Sequence, residues 1–294
     1  MILVTGATGH FGTATIDFLL KKGVPASNIA GLVRDEAKAK SLQEKGIIIK
    51  KGDYDNYDSL LTAFTGIDKL LLVSGNDIPN RSRQQANAVK AAKQAGVKHI
   101  IYTSFERKNE SETSPIAFVA QSHLNTEKLI KESGIPFTIL RNNLYMDYIP
   151  LYIGDKATDT GIFWPAGEGK LAAVTRSDMA EAAANILTSD GHANKEYAIS
   201  HTENVDFTQV AKQLSAIAGK NVTYTSPDIA AYKDVVTKAG VPAVYVDVFA
   251  GFAEAIKQGE FETSKSDMEK LLGRKPTTLE EYLPTVYAPE KDLA

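Results

Sequence analysis

The sequence predicts an α/β protein with a doubly wound parallel sheet and a smaller, mostly helical C-terminal part. Apolar strands and helical segments alternate strictly as far as residue 141. The strands are apolar throughout rather than at every second position, which is typical of a parallel sheet covered by helices on both faces. Beyond residue 145 this alternation stops, and longer helical segments follow.

Six strands and five helices make up the alternating part. The predicted strands are Met1–Thr5, Ile29–Val33, Ile47–Lys50, Lys69–Ser74, His99–Thr103 and Phe137–Arg141. The predicted helices are Gly12–Lys21, Ala37–Lys45, Tyr57–Phe64, Ser82–Ala95 and Ile116–Ser133. Glycines at or just beyond the ends of four of these helices, Gly23, Gly46, Gly96 and Gly134, are common helix terminators. Because ligands bind beyond the carboxyl ends of the strands in such sheets, five loops should converge there: those after Thr5, Val33, Ser74, Thr103 and Arg141.

Composition excludes several classes of function. The 294-residue chain has 33 Lys and Arg against 36 Asp and Glu. It therefore lacks the excess of basic residues that is typical of proteins that bind nucleic acids. The absence of cysteine excludes disulfides and thiolate chemistry, and the five scattered histidines suggest no metal site. No apolar run approaches a membrane span, and the N-terminus lacks a signal-peptide pattern, so we expect a cytoplasmic protein.

The turn between the first strand and the first helix predicts a dinucleotide site. Its residues are Gly6, Ala7, Thr8, Gly9, His10, Phe11 and Gly12. Backbone N–H groups at a helix start lack intrahelical partners, and the helix dipole adds positive charge, so the turn suits a diphosphate. Gly6 permits the turn, Gly9 lets a pyrophosphate approach, and Gly12 lets the helix pack closely. A glycine triplet alone is weak, but its strand–turn–helix setting predicts a Rossmann fold.

The C-terminal half is expected to contribute to both parts of the protein. Leu171–Thr175 and Tyr197–Ser200 are predicted strands on either side of helix Asp178–Leu187, and they would return to the sheet edge. We therefore predict an NAD(P)-binding Rossmann core of residues 1–150, with 171–200 returning to it. Residues 151–170 and 201–294 would form a substrate-binding subdomain, with a frayed tail at 288–294.

These motifs resemble those of the atypical short-chain dehydrogenase/reductases of the NmrA-like group. The matching segments cover nearly the whole chain and are 4–12, 33–34, 51–53, 95–104, 134–142 and 175–180. Within the group, segments 122–127 and 141–145 are most similar to NAD(P)H-dependent quinone oxidoreductases and triphenylmethane dye reductases. The resemblance implies an NAD(P)H-dependent oxidoreductase.

The residue closing the second strand predicts the cofactor. An acidic residue at this point binds the ribose hydroxyl of NAD, whereas an arginine pairs with the 2′-phosphate of NADP. Arg34 stands there, which favours NADPH, with NADH possible but weaker. The alternative is that Arg34 is a solvated surface charge. Asp35 is best explained as a helix cap. By resemblance Asp53 lies near the adenine amino group; the alternative is that it caps helix Tyr57–Phe64.

The catalytic dyad of most short-chain dehydrogenases is missing. They carry Tyr-x-x-x-Lys on the helix after the fifth strand, where the lysine lowers the pKa of the proton-donating tyrosine. Here Phe118 and Ser122 have that spacing without either functional group, and Tyr152-x-x-x-Lys156 follows the wrong strand. Reduction of a ketone demands a good proton donor. A quinone yields a phenol-like anion that solvent can protonate, and a cationic dye needs hydride alone.

Several further residues are candidates for the site. His123, on the same helix, is a candidate to bond the ribose or to donate to the acceptor oxygen, and the alternative is a structural histidine. Asn142 and Asn143 are candidates for the nicotinamide amide or ribose, and the alternative is that they cap the next helix. Further cofactor contacts are predicted at Ser74, Gly75, Asn76 and Thr103. An aromatic wall for a planar acceptor is predicted from Phe105, Tyr145, Tyr148, Tyr152 and Trp164.

Together these features predict an NADPH-dependent reductase that transfers hydride to quinones or similar planar aromatic electrophiles, with His123 and Asn142 as catalytic candidates. The alternative is a non-catalytic NADP(H)-binding sensor that regulates a partner protein, because loss of the dyad fits that role too. A dyad-type epimerase or ketoreductase is disfavoured by the missing tyrosine. The expected partner is a small aromatic acceptor, and both a monomer and a homodimer stay open.

Overall fold

A seven-stranded parallel sheet lies at the centre of the structure, a computed structural model that describes residues 1–288. Apart from residue 288, the frayed tail predicted at 288–294 lies outside the described residues. In chain order the strands are β1 (Ile2–Val4), β2 (Ile29–Val33), β3 (Ile48–Lys51), β4 (Lys69–Leu72), β5 (His99–Phe105), β6 (Phe137–Asn142), β7 (Ile162–Phe163), β8 (Lys195–Ile199) and β9 (Tyr224–Thr225).

The strand order is β3-β2-β1-β4-β5-β6-β8, and every pair is parallel. The order reverses between β1 and β4, which opens a crevice at their carboxyl ends. This arrangement confirms the predicted doubly wound Rossmann sheet. Strands β7 and β9 form a separate two-stranded sheet.

Helices cover both faces of the sheet and form most of the C-terminal half. They are α1 (His10–Lys21), α2 (Lys40–Glu44), α3 (Tyr57–Phe64), α4 (Arg81–Ala95), α5 (Ala117–Ser133), α6 (Ile149–Ile153), α7 (Ala157–Thr160), α8 (Arg176–Thr188), α9 (Phe207–Ala218), α10 (Ile229–Lys238), α11 (Ala243–Lys257), α12 (Met268–Leu272), α13 (Leu279–Tyr282) and α14 (Pro284–Tyr287). Three 3₁₀ turns occur at Ala26–Asn28, Glu36–Ala39 and Met146–Tyr148. None of the helices within residues 1–288 is long and apolar enough to cross a membrane.

Neighbouring residues of one strand enter opposite cores, which explains the uninterrupted apolar strands. Leu3 packs with residues of α3 and α4, whereas Val4 packs with residues of α1 and α8. In β5, Tyr102 lies in the first of these cores and Ile101 in the second. Because side chains alternate across a strand, a sheet buried on both faces needs an apolar residue at every position.

A third core lies in the C-terminal half, around the fully buried Trp164. Residues from α6, α9 and α11 surround it. The division into a cofactor core and a substrate subdomain stays a prediction.

The predicted strand Leu171–Thr175 is wrong. Its residues make only isolated bridges, Leu171 to Val205 and Val174 to Tyr145, so this apolar segment packs between cores without joining the sheet. The predicted strand Tyr197–Ser200 corresponds to β8, which pairs with β6 at the sheet edge as expected.

Candidate active site

A cleft of about 1250 Å³ opens at the carboxyl ends of the strands. It is lined by the glycine turn, by the loops after β2, β3, β4 and β6, and by side chains of α5, α6 and α11. The cleft therefore brings the predicted phosphate-binding turn and most of the predicted aromatic wall to one place.

The glycine turn has the geometry that its sequence predicts. Gly6 adopts a φ of +58°, which favours glycine, and its carbonyl accepts the Gly9 N–H at 2.9 Å. A Cβ atom on Gly12 would lie 2.3 Å from the Gly6 carbonyl oxygen. The start of α1 therefore lies against the turn at a distance that only glycine allows.

The first turn of α1 leaves backbone N–H groups available at the cleft. Gly9 is the N-cap, no side chain caps the helix, and the first turn holds no acidic residue. An anion in the cleft would meet free amides and the positive end of the helix dipole, which fits a diphosphate. Ala7 is the one predicted turn residue that does not line the cleft, because it is fully buried.

Arg34 lies at the end of β2, where the sequence placed it. Its side chain is exposed, lines the cleft, and forms no salt bridge within residues 1–288. Asp35 caps the following 3₁₀ turn, since its Oδ1 accepts the Ala37 N–H at 3.0 Å. Asp53 also lines the cleft, and Asn56 rather than Asp53 caps α3.

The loop Ser74-Gly75-Asn76 follows β4 and lines the cleft as predicted. Two contacts hold it: the Ser74 N–H donates to Thr103 Oγ1 at 2.9 Å, and Arg81 Nε donates to the Gly75 carbonyl at 2.7 Å. Thr103 is buried and lies outside the cleft lining, so the predicted direct cofactor contact is corrected to a support behind Ser74.

His123 is buried at the cleft wall and uses both ring nitrogens within the protein. Its Nε2 lies 3.2 Å from Arg81 Nη1, and its Nδ1 lies 2.7 Å from the Tyr102 hydroxyl. Because a guanidinium only donates, Nε2 must accept, and the proton is assigned to Nδ1. The Tyr102 hydroxyl then accepts from His123 and donates to Gln85 Oε1 at 3.0 Å.

This network changes the predicted role of His123. Burial, and then the charges of Arg81 and Arg107, hold the pKa of His123 well below its usual value, so the ring is neutral. Its ring stacks on Phe105 with centroids 5.7 Å apart. His123 is therefore not the proton donor that the sequence suggested as a catalytic role, and it positions Arg81 and Phe105 instead.

Arg81 is the residue that sequence reasoning missed. It opens α4, is 6% exposed, and lines the cleft. Besides Gly75 and His123, it contacts Ser122 Oγ at 3.4 Å through Nη1. A single arginine at the start of a predicted helix carries no local signature of a site.

The two asparagines after β6 differ. Asn142 lines the cleft, and both polar atoms of its side-chain amide lack a partner within the described part of the chain. Asn143 also lines the cleft, but its amide nitrogen donates to the Phe261 carbonyl at 3.1 Å and its amide oxygen accepts the Leu144 N–H at 2.8 Å. The amide of Asn142 is thus available to a ligand, whereas that of Asn143 is bonded within the protein, and the cofactor contact of Asn143 stays a prediction.

Most of the predicted aromatic wall lines the cleft. Phe105, Tyr145, Tyr148 and Tyr152 are present, and Tyr145 and Tyr148 meet edge to face with centroids 5.2 Å apart. Burial raises the pKa of Tyr145 to about 12, so its hydroxyl is a hydrogen-bond donor rather than an acid at neutral pH. The sequence missed the opposite side of the wall, which α11 supplies through Tyr245, Val248, Phe249 and Phe252.

Trp164 does not belong to the wall. Its side chain is fully buried and stacks on Tyr152 from behind, with centroids 4.8 Å apart and planes 14° from parallel. The prediction that Trp164 binds substrate is corrected: it supports Tyr152, which does line the cleft.

Comparison with known proteins agrees with this arrangement. The NmrA-like family model matches residues 1–283. The chain belongs to the NmrA-like family. It is 39% identical over 283 residues to quinone oxidoreductase 2 of Escherichia coli, covering 96% of each chain.

Two solved structures of similar proteins contain a nicotinamide cofactor. Triphenylmethane reductase from Citrobacter sp., complexed with NADP(H), has a TM-score of 0.90 and 39% identity and covers 97% of this chain and 100% of its own. The NADPH-dependent quinone oxidoreductase of Escherichia coli, complexed with NADPH, has a TM-score of 0.89 and 35% identity, with coverage of 98% and 100%.

In this NmrA-like chain, the positions with dyad spacing make other contacts. Phe118 is partly exposed and packs edge to face against Phe252, with centroids 6.3 Å apart. Ser122 donates to the Val119 carbonyl at 2.9 Å and accepts from Arg81. Neither position carries the phenol or the amine of a Tyr-Lys pair.

Proposed function

We propose that this chain is an NADPH-dependent reductase that transfers hydride to quinones or similar planar aromatic electrophiles without a Tyr-Lys dyad. One observation carries the proposal: the glycine turn with free helix amides and the aromatic wall line the same cleft. The similarity to a quinone oxidoreductase and a triphenylmethane reductase supports it.

The chain's own residues provide a complete set of groups for NADPH. The amides at the start of α1 suit the diphosphate, and Arg34 suits the 2′-phosphate through a bidentate contact that NADH cannot make. The unpartnered amide of Asn142 suits the carboxamide or ribose of the nicotinamide half. The cofactor supplies the hydride, which is equivalent to one proton and two electrons.

The protein then acts by holding the acceptor and excluding water. Tyr145, Tyr148 and Phe249 present ring edges and faces to a flat ligand, and the buried setting strengthens nearby electrostatic interactions. The quinone that has accepted the hydride is a phenol-like anion, and it takes one proton from solvent to become the hydroquinone. Orientation and electrostatics therefore account for catalysis, and no side chain needs to be a strong acid.

The test is NADPH oxidation with 1,4-benzoquinone, followed by the loss of NADPH absorbance and corrected for the reaction without protein. We expect quinone-dependent turnover well above that background, and slower turnover with NADH at the same concentration. Tight NADPH binding without turnover, tried also with a triarylmethane dye and an azo dye, would contradict the proposal and favour a cofactor sensor.

A further inference from the structure

Arg81 is a buried cation without an acidic partner. No carboxylate within residues 1–288 forms a salt bridge with it, whereas the buried Arg107 pairs with Glu127 at 3.0 Å and the cleft residue Arg176 lies 3.3 Å from Asp147. Its acceptors are all neutral: the Gly75 carbonyl, Ser122 Oγ and His123 Nε2. A buried charge is costly unless it is compensated, which points to an anion that binds from the cleft.

The groups around Arg81 give its charge no direct partner. Asp77 lines the same cleft and acts on the pKa of Arg81 from a distance, but it forms no salt bridge with Arg81, and its Oδ2 accepts from Asn80 at 2.9 Å and from Gln84 at 3.2 Å. The neutral His123 accepts from Nη1 and brings no charge of its own. Nη2 has no acceptor among the described residues, and the side chain lines the cleft. Arg81 therefore presents a net positive charge and a free donor.

The position of this charge is specific. Nη1 lies 3.4 Å from the hydroxyl of Ser122, the residue with the spacing of the dyad lysine. The cation thus reaches from α4 to one of the two α5 positions, Phe118 and Ser122, that have the spacing of a dyad. Phe118 offers no phenol at the other position. Burial holds the pKa values of the Tyr102 and Tyr145 hydroxyls above the usual range, and it outweighs the charge of Arg81, which lowers both pKa values.

We propose that Arg81 determines acceptor class: its charge favours neutral acceptors that become anions on reduction, such as quinones, over cationic acceptors such as triarylmethane dyes. This inference rests on the proposed reductase function. Net transfer of a hydride from NADPH, which is oxidised to NADP⁺, to an oxygen of a neutral quinone forms an O–H bond and leaves a hydroquinone anion, which takes one proton from solvent. Hydride addition to the central carbon of a cationic dye leaves a neutral product without proton uptake. A fixed positive charge stabilises the first product and repels the second acceptor.

The test compares Arg81→Met with Arg83→Met, a matched loss of one charge from the same helix. Arg83 is exposed, pairs with Asp55 at 2.6 Å, and lies outside the cleft lining. In Arg81→Met, kcat/KM for 1,4-benzoquinone should fall about 100-fold, while kcat/KM for malachite green should hold or rise. Arg81→Lys should restore much of the preference for quinone, because it returns the charge without the bidentate geometry. Arg83→Met should leave the ratio of the two constants unchanged.

A binding experiment on the cofactor-free protein gives a second readout. Absorbance titrations would use 4-nitrophenolate as a stand-in for the hydroquinone anion and malachite green as the cation. In Arg81→Met, the Kd of the phenolate should rise about tenfold, and that of the dye should stay equal or fall. Equal changes for both ligands, or no change for either, would overturn the inference.

The outcomes separate the inference from the proposed function. Absence of quinone turnover in the unmodified protein would refute the function, whatever Arg81 does. Turnover with a quinone-to-dye ratio that shifts less than about tenfold in Arg81→Met would refute the inference alone. A variant that binds NADPH weakly but keeps the ratio also refutes it, because weaker cofactor binding slows both reactions alike.

Discussion

Nη1 of Arg81 lies 3.2 Å from Nε2 of His123, so an obligate donor fixes the neutral form of a buried imidazole. The Tyr102 hydroxyl, 2.7 Å from Nδ1, completes the chain on the other side of the ring. A histidine bound in this way cannot exchange protons with an acceptor at neutral pH. Of these two residues, Arg81 rather than His123 is therefore the candidate to act on a ligand in the cleft.

The neutral state of His123 predicts a pH dependence of stability. The folded-state pKa is lowered, so below about pH 6.5 the unfolded chain binds a proton that the folded chain does not. The contribution of His123 to the free energy of unfolding is therefore fully present above that pH. It is lost as the pH drops, by up to about 1.4 kcal/mol per pH unit. Urea unfolding between about pH 7 and about pH 5 should show a smaller acid loss in His123→Gln than in the unmodified protein.

Comparing the unmodified protein with His123→Gln cancels the pH-dependent contributions of the other histidines to stability. Burial also lowers the pKa of His99 and of His192, and both contribute equally to the two proteins. Parallel stability curves for the two proteins would mean that His123 titrates normally in the fold, against the hydrogen-bond assignment.

Arg34→Ala should weaken NADPH far more than NADH. A charge-assisted hydrogen bond contributes about 1.5–3 kcal/mol, so the Kd for NADPH should rise about 10- to 150-fold. The Kd for NADH should change little, since it lacks the 2′-phosphate. Fluorescence titration of both nucleotides measures this, with Lys38→Ala, an exposed charge on the next 3₁₀ turn, as the control. An equal loss for the two nucleotides would remove Arg34 from this role.

Gly12→Ala should disrupt the phosphate-binding turn. The new Cβ would lie 2.3 Å from the Gly6 carbonyl, so the helix or the turn must shift, at a cost of about 1–3 kcal/mol in unfolding free energy. NADPH should bind at least about tenfold more weakly, because a shift of the turn misaligns several amides at once.

Gly23→Ala provides the matched control. Gly23 has a φ of +82° and no atom within 4 Å of an added Cβ, so the variant should lose stability through strain alone and bind NADPH normally. Normal NADPH affinity in both variants would mean that the turn does not contact the cofactor.

Asn142→Ala should mainly lower activity, whereas Asn143→Ala should mainly lower stability. Asn142 has no amide partner within residues 1–288, so its loss should leave the unfolding free energy nearly unchanged while lowering kcat/KM. Asn143 bonds to Leu144 and Phe261, so its loss should cost about 1–3 kcal/mol of stability. Thermal denaturation and NADPH-dependent quinone reduction, measured on both variants, check the pair. Full activity in Asn142→Ala would exclude it from ligand binding.

Local patterns were enough to predict the sheet and the phosphate-binding turn. The glycine spacing, each apolar strand and Arg34 can each be recognised from a few consecutive residues, and the structure places them as expected. Asp35 as a cap follows from the same short-range logic.

The errors arise where burial depends on distant packing. Trp164 and Tyr152 belong to one aromatic-rich region, yet only Tyr152 faces the cleft because Trp164 fills the core behind it. The segment Leu171–Thr175 is as apolar as a strand but bends between cores. Phe249 on α11 reaches the cleft from far along the chain, and helical periodicity cannot say which ligand a helix face meets.

The two walls of the cleft come from separate stretches of the chain. Groups suited to the nucleotide lie on loops of the sheet, whereas Leu151 on α6 and Tyr245 and Phe249 on α11 line the cleft from helices of the C-terminal half. Substitutions on these helices leave the strand-end loops untouched. The preference for one acceptor over another can therefore change in evolution, or be redesigned in the laboratory, without changes in the dinucleotide-binding loops.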